Sequence, residues 1–264
     1  MAEPHTSFAN PPAYNEMYAD FTRGKVVPIP NGLAKPPKEM LIARGPGEYY
    51  ANVSYMDAQV GRVFDWLREN DLYDNTVVVF SSDNGPVTEN WINWWEVNAH
   101  GSSGGYRGRK HYLYEGGIRV PAIIRYPGVV EAGTVSDAAV IGMDWFVTLA
   151  NIGGGQVPAD RDIDGIDIAA VFDGEDLPSR SLFWALNAAS ELEFAVRSGD
   201  WKLMLDGESE PRELYNLAED PLELFNLIKE QPAKVEMLVR EFAAHRDAIA
   251  ADKLRPDTDQ GYEK

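Results

Sequence analysis

The chain has 264 residues, 44% hydrophobic and 25% charged, with no cysteine and a formal net charge of −18. That composition is ordinary for a globular protein, and it excludes disulfides, cysteine-ligated zinc and thiol catalysis. The acidic balance repels nucleic acid and anionic membrane surfaces, and no run reaches the roughly 18 apolar residues of a membrane helix, so neither partner is expected.

Residues 1–47 are punctuated by Pro11-Pro12, Pro28, Pro30, Pro36-Pro37 and Gly45-Pro46-Gly47, and read as loop. Met1-Ala2-Glu3-Pro4-His5 has neither a basic nor an apolar leader segment, so no signal peptide is expected and the location stays open. From about Glu48 to Asn70, Val53, Met56, Val60, Val63, Phe64 and Leu67 recur at helical spacing and predict an amphipathic helix. Thr76-Val77-Val78-Val79-Phe80 follows as a continuous β-branched run, the pattern of a strand covered on both faces. Helix, short loop and buried strand predict a piece of an α/β fold with a parallel sheet.

A polar, Gly-rich insertion over 84–117 holds Trp91, Trp94 and Trp95, which read either as packing or as an aromatic substrate wall. A second buried strand is predicted over Ala122–Tyr126 and a helix over Met143–Asn151. After Pro178 short strands are expected around 182–186, 193–197 and 201–205, with Ser198-Gly199-Asp200 as a turn. A closing helix is expected over Pro232–Ala251, carrying Val235, Leu238, Val239 and Phe242 on one face. The domain boundary is set at 178/179: an α/β part over 1–178, then a small α+β domain over 179–264.

Three places could carry chemistry. Asp83 and Asn84, in Ser81-Ser82-Asp83-Asn84-Gly85, stand at the carboxyl end of a strand, where ligands bind in open α/β sheets. A carboxylate beside a carboxamide offers hard oxygen ligands for calcium or magnesium, although Asp-Asn-Gly is also a good left-handed turn. Lys110 lies in Gly104-Gly105-Tyr106-Arg107-Gly108-Arg109-Lys110, where three cations gather, either as a solvated face or as a cradle for a tetrahedral anion. His5 is a general-acid or anion-contact candidate, or simply an exposed terminal residue. His100 and His111 flank the basic loop and share that ambiguity.

The order of these segments resembles the type I sulfatases, of the alkaline-phosphatase superfamily. Pro4-His5-Thr6, Tyr55-Met56-Asp57, Phe80-Ser81-Ser82-Asp83-Asn84-Gly85 and Arg107-Gly108-Arg109-Lys110 carry the resemblance. So do Tyr114-Glu115-Gly116-Gly117-Ile118-Arg119-Val120-Pro121, Asp164-Gly165-Ile166-Asp167, Glu213-Leu214-Tyr215-Asn216-Leu217, and Asp220-Pro221 with Glu223 and Asn226-Leu227. It implies a partial sulfatase-like sheet, sulfate-ester hydrolysis and a divalent metal, calcium or magnesium, held partly by Asp83 and Asn84. Lys110 is implied to bind a sulfate oxygen and His5 to assist the leaving group. Glu115-Gly116-Gly117 and the Leu-Tyr motif are implied to be structural.

The family's formylglycine nucleophile arises from a Cys/Ser-x-Pro-x-Arg motif, and this chain contains none. The chain is therefore expected to correspond to the C-terminal portion of a sulfatase. Its expected partners are a sulfated small molecule or glycan, and either a further copy of itself or an upstream sulfatase fragment that completes the sheet. The alternatives are a non-catalytic sulfatase-like remnant that binds a partner, and a phosphonate or phosphodiester hydrolase of the same superfamily.

Overall fold

The computed structural model describes residues 10–20, 46–87, 101–186 and 191–251. The chain forms two compact units that meet in sequence at Pro127 and Gly128. The 178/179 boundary, drawn where the pattern changes to short strands, lies within the second of these units. The tie is electrostatic: Arg180 forks onto Asp144 with bonds of 2.6 and 2.5 Å, joining the segment before the C-terminal strands to a helix well upstream.

In the first unit a short helix α1 (Pro12–Glu16) lies within the stretch read as loop. Side chains dock it on the long helix α2 (Pro46–Glu69). Asn10 Nδ2 donates to Glu48 O at 2.9 Å, Asn52 Nδ2 donates to Asn10 Oδ1 at 2.9 Å, and the Tyr14 and Tyr55 rings meet edge to face. Helix α2 matches its predicted span within two residues. It stops where Asp71 turns left-handed (φ 56°), with Leu72 N donating back to Leu67 O, a closing pattern that Asp tolerates for want of glycine.

Strands β1 (Val78–Ser81) and β2 (Ala122–Arg125) form where the β-branched runs predict them. Their pairing differs from expectation: they run antiparallel, Val78 opposite Arg125 and Phe80 opposite Ile123. A β-branched run signals a strand but carries no direction; Ser81 stands opposite Ala122, so the chain leaves β1 and enters β2 at the same end of the pair. Nor are both faces covered, since Phe80 is 39% and Ile123 61% exposed.

The second unit opens with helix α4 (Asp144–Ile152), after a single-turn helix α3 (Glu115–Ile118) in the first. It ends in an antiparallel meander in chain order: β3 (Ser181–Ala185), β4 (Leu192–Ser198), β5 (Trp201–Asp206) and β6 (Pro211–Asn216). Gly199 makes the predicted β4–β5 turn with φ 58°. Strand β6 was not anticipated, because it starts at a proline and carries Arg212 and Glu213 among its first residues. Helix α5 (Pro232–Ala251) forms over its predicted span and packs on one face of the meander. Val196, Leu203, Leu205, Leu214, Leu238 and Phe242 make the core there. Each such side chain contributes about 1.5–3 kcal/mol by leaving water.

The Leu-Tyr and Asp-Pro motifs are structural here. Asp220 Oδ2 accepts from Leu224 N and Phe225 N, both at 2.8 Å, and Asn226 Oδ1 accepts from Leu214 N and Ile228 N at 3.0 Å. Lys202 on β5 and Glu223 in the loop after β6 form a fully buried ion pair at 2.8 Å. The Asp164–Asp167 turn is likewise internal scaffolding: Ile166 N donates to Asp144 Oδ1 and Asn151 Nδ2 to Asp167 Oδ2.

Candidate functional site

The candidate residues gather where β1 ends. Beyond Ser81 the chain turns through exposed Asp83 and half-buried Asn84 into buried Gly85. Gly85 N donates to Gly117 O at 2.8 Å, so the strand exit is bonded to α3. A Cβ at Gly85 would come 2.0 Å from Gly116 O, and one at Gly117 2.0 Å from Tyr112 O. Backbone meets backbone at these two positions, and only glycine permits that approach.

The next residue, Pro86, accepts from Lys110 N at 2.9 Å. The Asp83-Asn84 turn and Lys110, 27 positions apart by their numbers, thus belong to one loop cluster. Backbone bonding produces this proximity.

The three cations of the basic loop take different tasks. The Arg107 guanidinium stacks on the Tyr114 ring at 3.9 Å. Arg109 Nη1 donates to Gly101 O at 3.0 Å and Val87 O at 3.3 Å. Among the described residues the Lys110 ammonium has no hydrogen-bond or ion-pair partner, and neither has the Asp83 carboxylate. Of the trio, Lys110 is the one whose side chain has no such contact among the described residues.

Asn84 Nδ2 donates to Gly85 O at 2.9 Å, which turns its carbonyl oxygen Oδ1 over to other contacts. Asp83 and Asn84 together offer hard oxygens of the type calcium and magnesium take. They fit part of a coordination shell, and among the described residues no group of three or more His, Asp or Glu is arranged to hold an ion. His111, directly after Lys110, is left-handed at φ 74°. That conformation is uncommon for a residue with a Cβ and clusters at functional sites. No sequence signal marks it. Tyr49, in the first turn of α2, brings its hydroxyl within 3.2 Å of where a Gly101 Cβ would stand. Burial, with Tyr50 beside it, pushes that hydroxyl above the ordinary tyrosine range.

His5, His100, Trp91, Trp94 and Trp95 lie outside the described residues.

Residues 1–155 match the family model described as Sulfatase, and residues 104–247 the one described as N-sulphoglucosamine sulphohydrolase, C-terminal. The chain is 40% identical over 129 residues to human steryl-sulfatase, a match covering 49% of this chain and 22% of that protein. It is 30% identical over 200 residues to the N-acetylgalactosamine-6-O-sulfatase of Bacteroides thetaiotaomicron, covering 69% of this chain and 39% of that one. The solved structure of Ps i-CgsB superposes with a TM-score of 0.72 at 24% identity, over 92% of this chain and 48% of its own; this likeness speaks to the fold. The chain thus spans well under two thirds of the length of the relatives it matches.

Proposed function

The chain belongs to the sulfatase family, and on that premise we propose that it serves sulfate-ester hydrolysis by supplying half of a metal site and an anion contact. The observation carrying this reading is the bond from Lys110 N to Pro86 O, which holds beside the Asp83-Asn84 turn a lysine whose ammonium has no partner among the described residues. Asp83 and Asn84 would hold a divalent cation, calcium or magnesium, which when bound supplies positive charge against the sulfate oxygens. Lys110 binds a sulfate oxygen and steadies the charge that builds on the leaving-group oxygen. His5 assists the leaving group. The formylglycine that attacks sulfur is supplied by another stretch of polypeptide, because this chain has neither cysteine nor Ser-x-Pro-x-Arg.

The substrate class is a sulfated small molecule or glycan. A further polypeptide, an upstream sulfatase fragment or a second copy, completes the sheet over Phe80 and Ile123. Their exposure supports this, since a two-stranded pair is marginal in water without a covered face.

The test uses the purified chain. It should not turn over 4-nitrophenyl sulfate, and calorimetry should find calcium binding weaker than about 10⁻⁴ M that Asp83→Ala abolishes. Sub-micromolar binding indifferent to Asp83→Ala sinks the metal assignment. Turnover that Lys110→Ala removes sinks the need for an external nucleophile.

A further inference from the structure

We propose that Arg109 is a positioning residue: its side chain locks Lys110 in register against the Asp83-Asn84 turn rather than contacting an anion itself. Three consecutive residues leaving that turn are tied to the basic loop and α3. Gly85 N bonds Gly117 O at 2.8 Å, Pro86 O takes Lys110 N at 2.9 Å, and Val87 O takes Arg109 Nη1 at 3.3 Å. The first two ties are pure backbone. The third alone is made by a side chain, so it alone is lost when the side chain of residue 109 cannot donate.

The same guanidinium nitrogen also holds Gly101 O at 3.0 Å. It therefore draws together the chain that leaves the turn, at Val87, and the chain that returns toward the basic loop, at Gly101. The backbone of Arg109 is fixed as well. Tyr112 N donates to its carbonyl at 3.0 Å, and that carbonyl stands 2.5 Å from where a Gly117 Cβ would be. Lys110 thus hangs from a residue anchored at both ends. Charge-assisted bonds to neutral carbonyls exceed ordinary ones in strength. A planar guanidinium addresses two acceptors at once, whereas an ammonium is a point donor on a flexible stem. Sequence reading counts Arg109 as one more positive charge near an anion; the geometry spends that charge on two carbonyls.

The functional meaning of this clamp rests on the reading of Lys110 as the sulfate contact, and the experiment separates the two. The first readout is amide hydrogen exchange in the full chain carrying Arg109→Gln. Exchange at Lys110 N should speed by about tenfold or more, while the amides of α2, Gly85 and Leu203 keep their protection. Unchanged exchange at Lys110 overturns the clamp, and so does general loss of protection through α2 and β1, which marks a residue of the fold instead. If Arg109→Gln does not fold, Arg109→Lys serves. It should show a smaller rise, and wild-type exchange in that variant also overturns the proposal.

The second readout is acylation of Lys110 by an amine-reactive ester in the presence of inorganic sulfate, followed by mass spectrometry. Sulfate should slow wild-type labelling, and Arg109→Gln should need about ten times more sulfate for the same effect. Undiminished protection in the variant overturns the positioning role. A wild-type Lys110 indifferent to sulfate, with exchange still raised by the substitution, overturns the anion reading and leaves the clamp standing.

Discussion

The loop cluster around Lys110 and the C-terminal meander hold their shapes by opposite means. In the meander, Leu203, Leu205, Leu214 and Val196 are fully buried under α5, and the sheet is shaped by side chains. Around Lys110 the fixing contacts at Gly85, Pro86 and Gly117 are backbone to backbone, with the Arg109 side chain clamped onto two further backbone carbonyls. On the adjoining strands β1 and β2 apolar residues stay in water: Phe80 and Ile123 are both exposed. A side-chain core tolerates modest repacking, because volume can be redistributed. A backbone lace does not, since an added Cβ meets an atom that cannot rotate away. The difference separates a self-sufficient scaffold from a site whose geometry is tight while its surroundings are open.

The largest effect is expected in the meander, at its buried ion pair. Glu223→Gln removes the carboxylate charge that the buried Lys202 ammonium faces at 2.8 Å, a loss of about 3–5 kcal/mol. Denaturant unfolding read through exchange at the Leu203 and Leu214 amides measures it. Pairing Lys202→Met with Glu223→Leu should recover much of the loss; no recovery would mean the charges themselves specify the loop.

Next is the lace. Gly85→Ala drives a methyl into Gly116 O, at a cost of about 1–3 kcal/mol. The cost should appear as faster exchange at Lys110 N with the Leu203 amide unaffected. Equal loosening of both amides would deny the contrast between the regions.

A third test uses acid. Burial, the largest single influence on the Asp144 carboxyl, pushes it up. The Arg180 fork, the Ile141 and Ile166 amides and the Arg180 charge outweigh burial and hold it below the ordinary aspartate range. A group depressed in the folded state contributes stability that is complete above its unfolded value, about 3.9. That stability is lost as pH falls through the folded value. Thermal unfolding should therefore worsen below about pH 4. Asp144→Asn should lower stability at pH 7 and flatten that acid limb; a limb of unchanged steepness would remove Asp144 as its cause.

The smallest effect on stability belongs to the open face. Ile123→Ser should change folding free energy by about 0.5 kcal/mol or less. It should nevertheless reduce self-association seen by sedimentation and the binding of a dye that reports apolar surface. A sharp monomer without dye binding in the wild-type chain would end the proposal that another polypeptide covers Phe80 and Ile123.

Much of this was legible in the residues. Helices α2 and α5 follow from apolar spacing, because a helix repeats its face every 3.6 residues and that period is written locally. The turn at Ser198-Gly199-Asp200 and the three strands it follows and precedes were readable for the same reason. The order of motifs carried the family, and with it the nomination of Asp83, Asn84 and Lys110. Tertiary structure decided what depends on atoms distant in sequence. It made β1 and β2 antiparallel, because direction is set by the path of the connection and not by the strand's own residues. It gave Arg107 to Tyr114 and Arg109 to two carbonyls, leaving Lys110 without a partner among the described residues. Three cations in four residues, Arg107 to Lys110, are interchangeable by composition. They become distinct only when the fold fixes which carbonyl or ring stands opposite each.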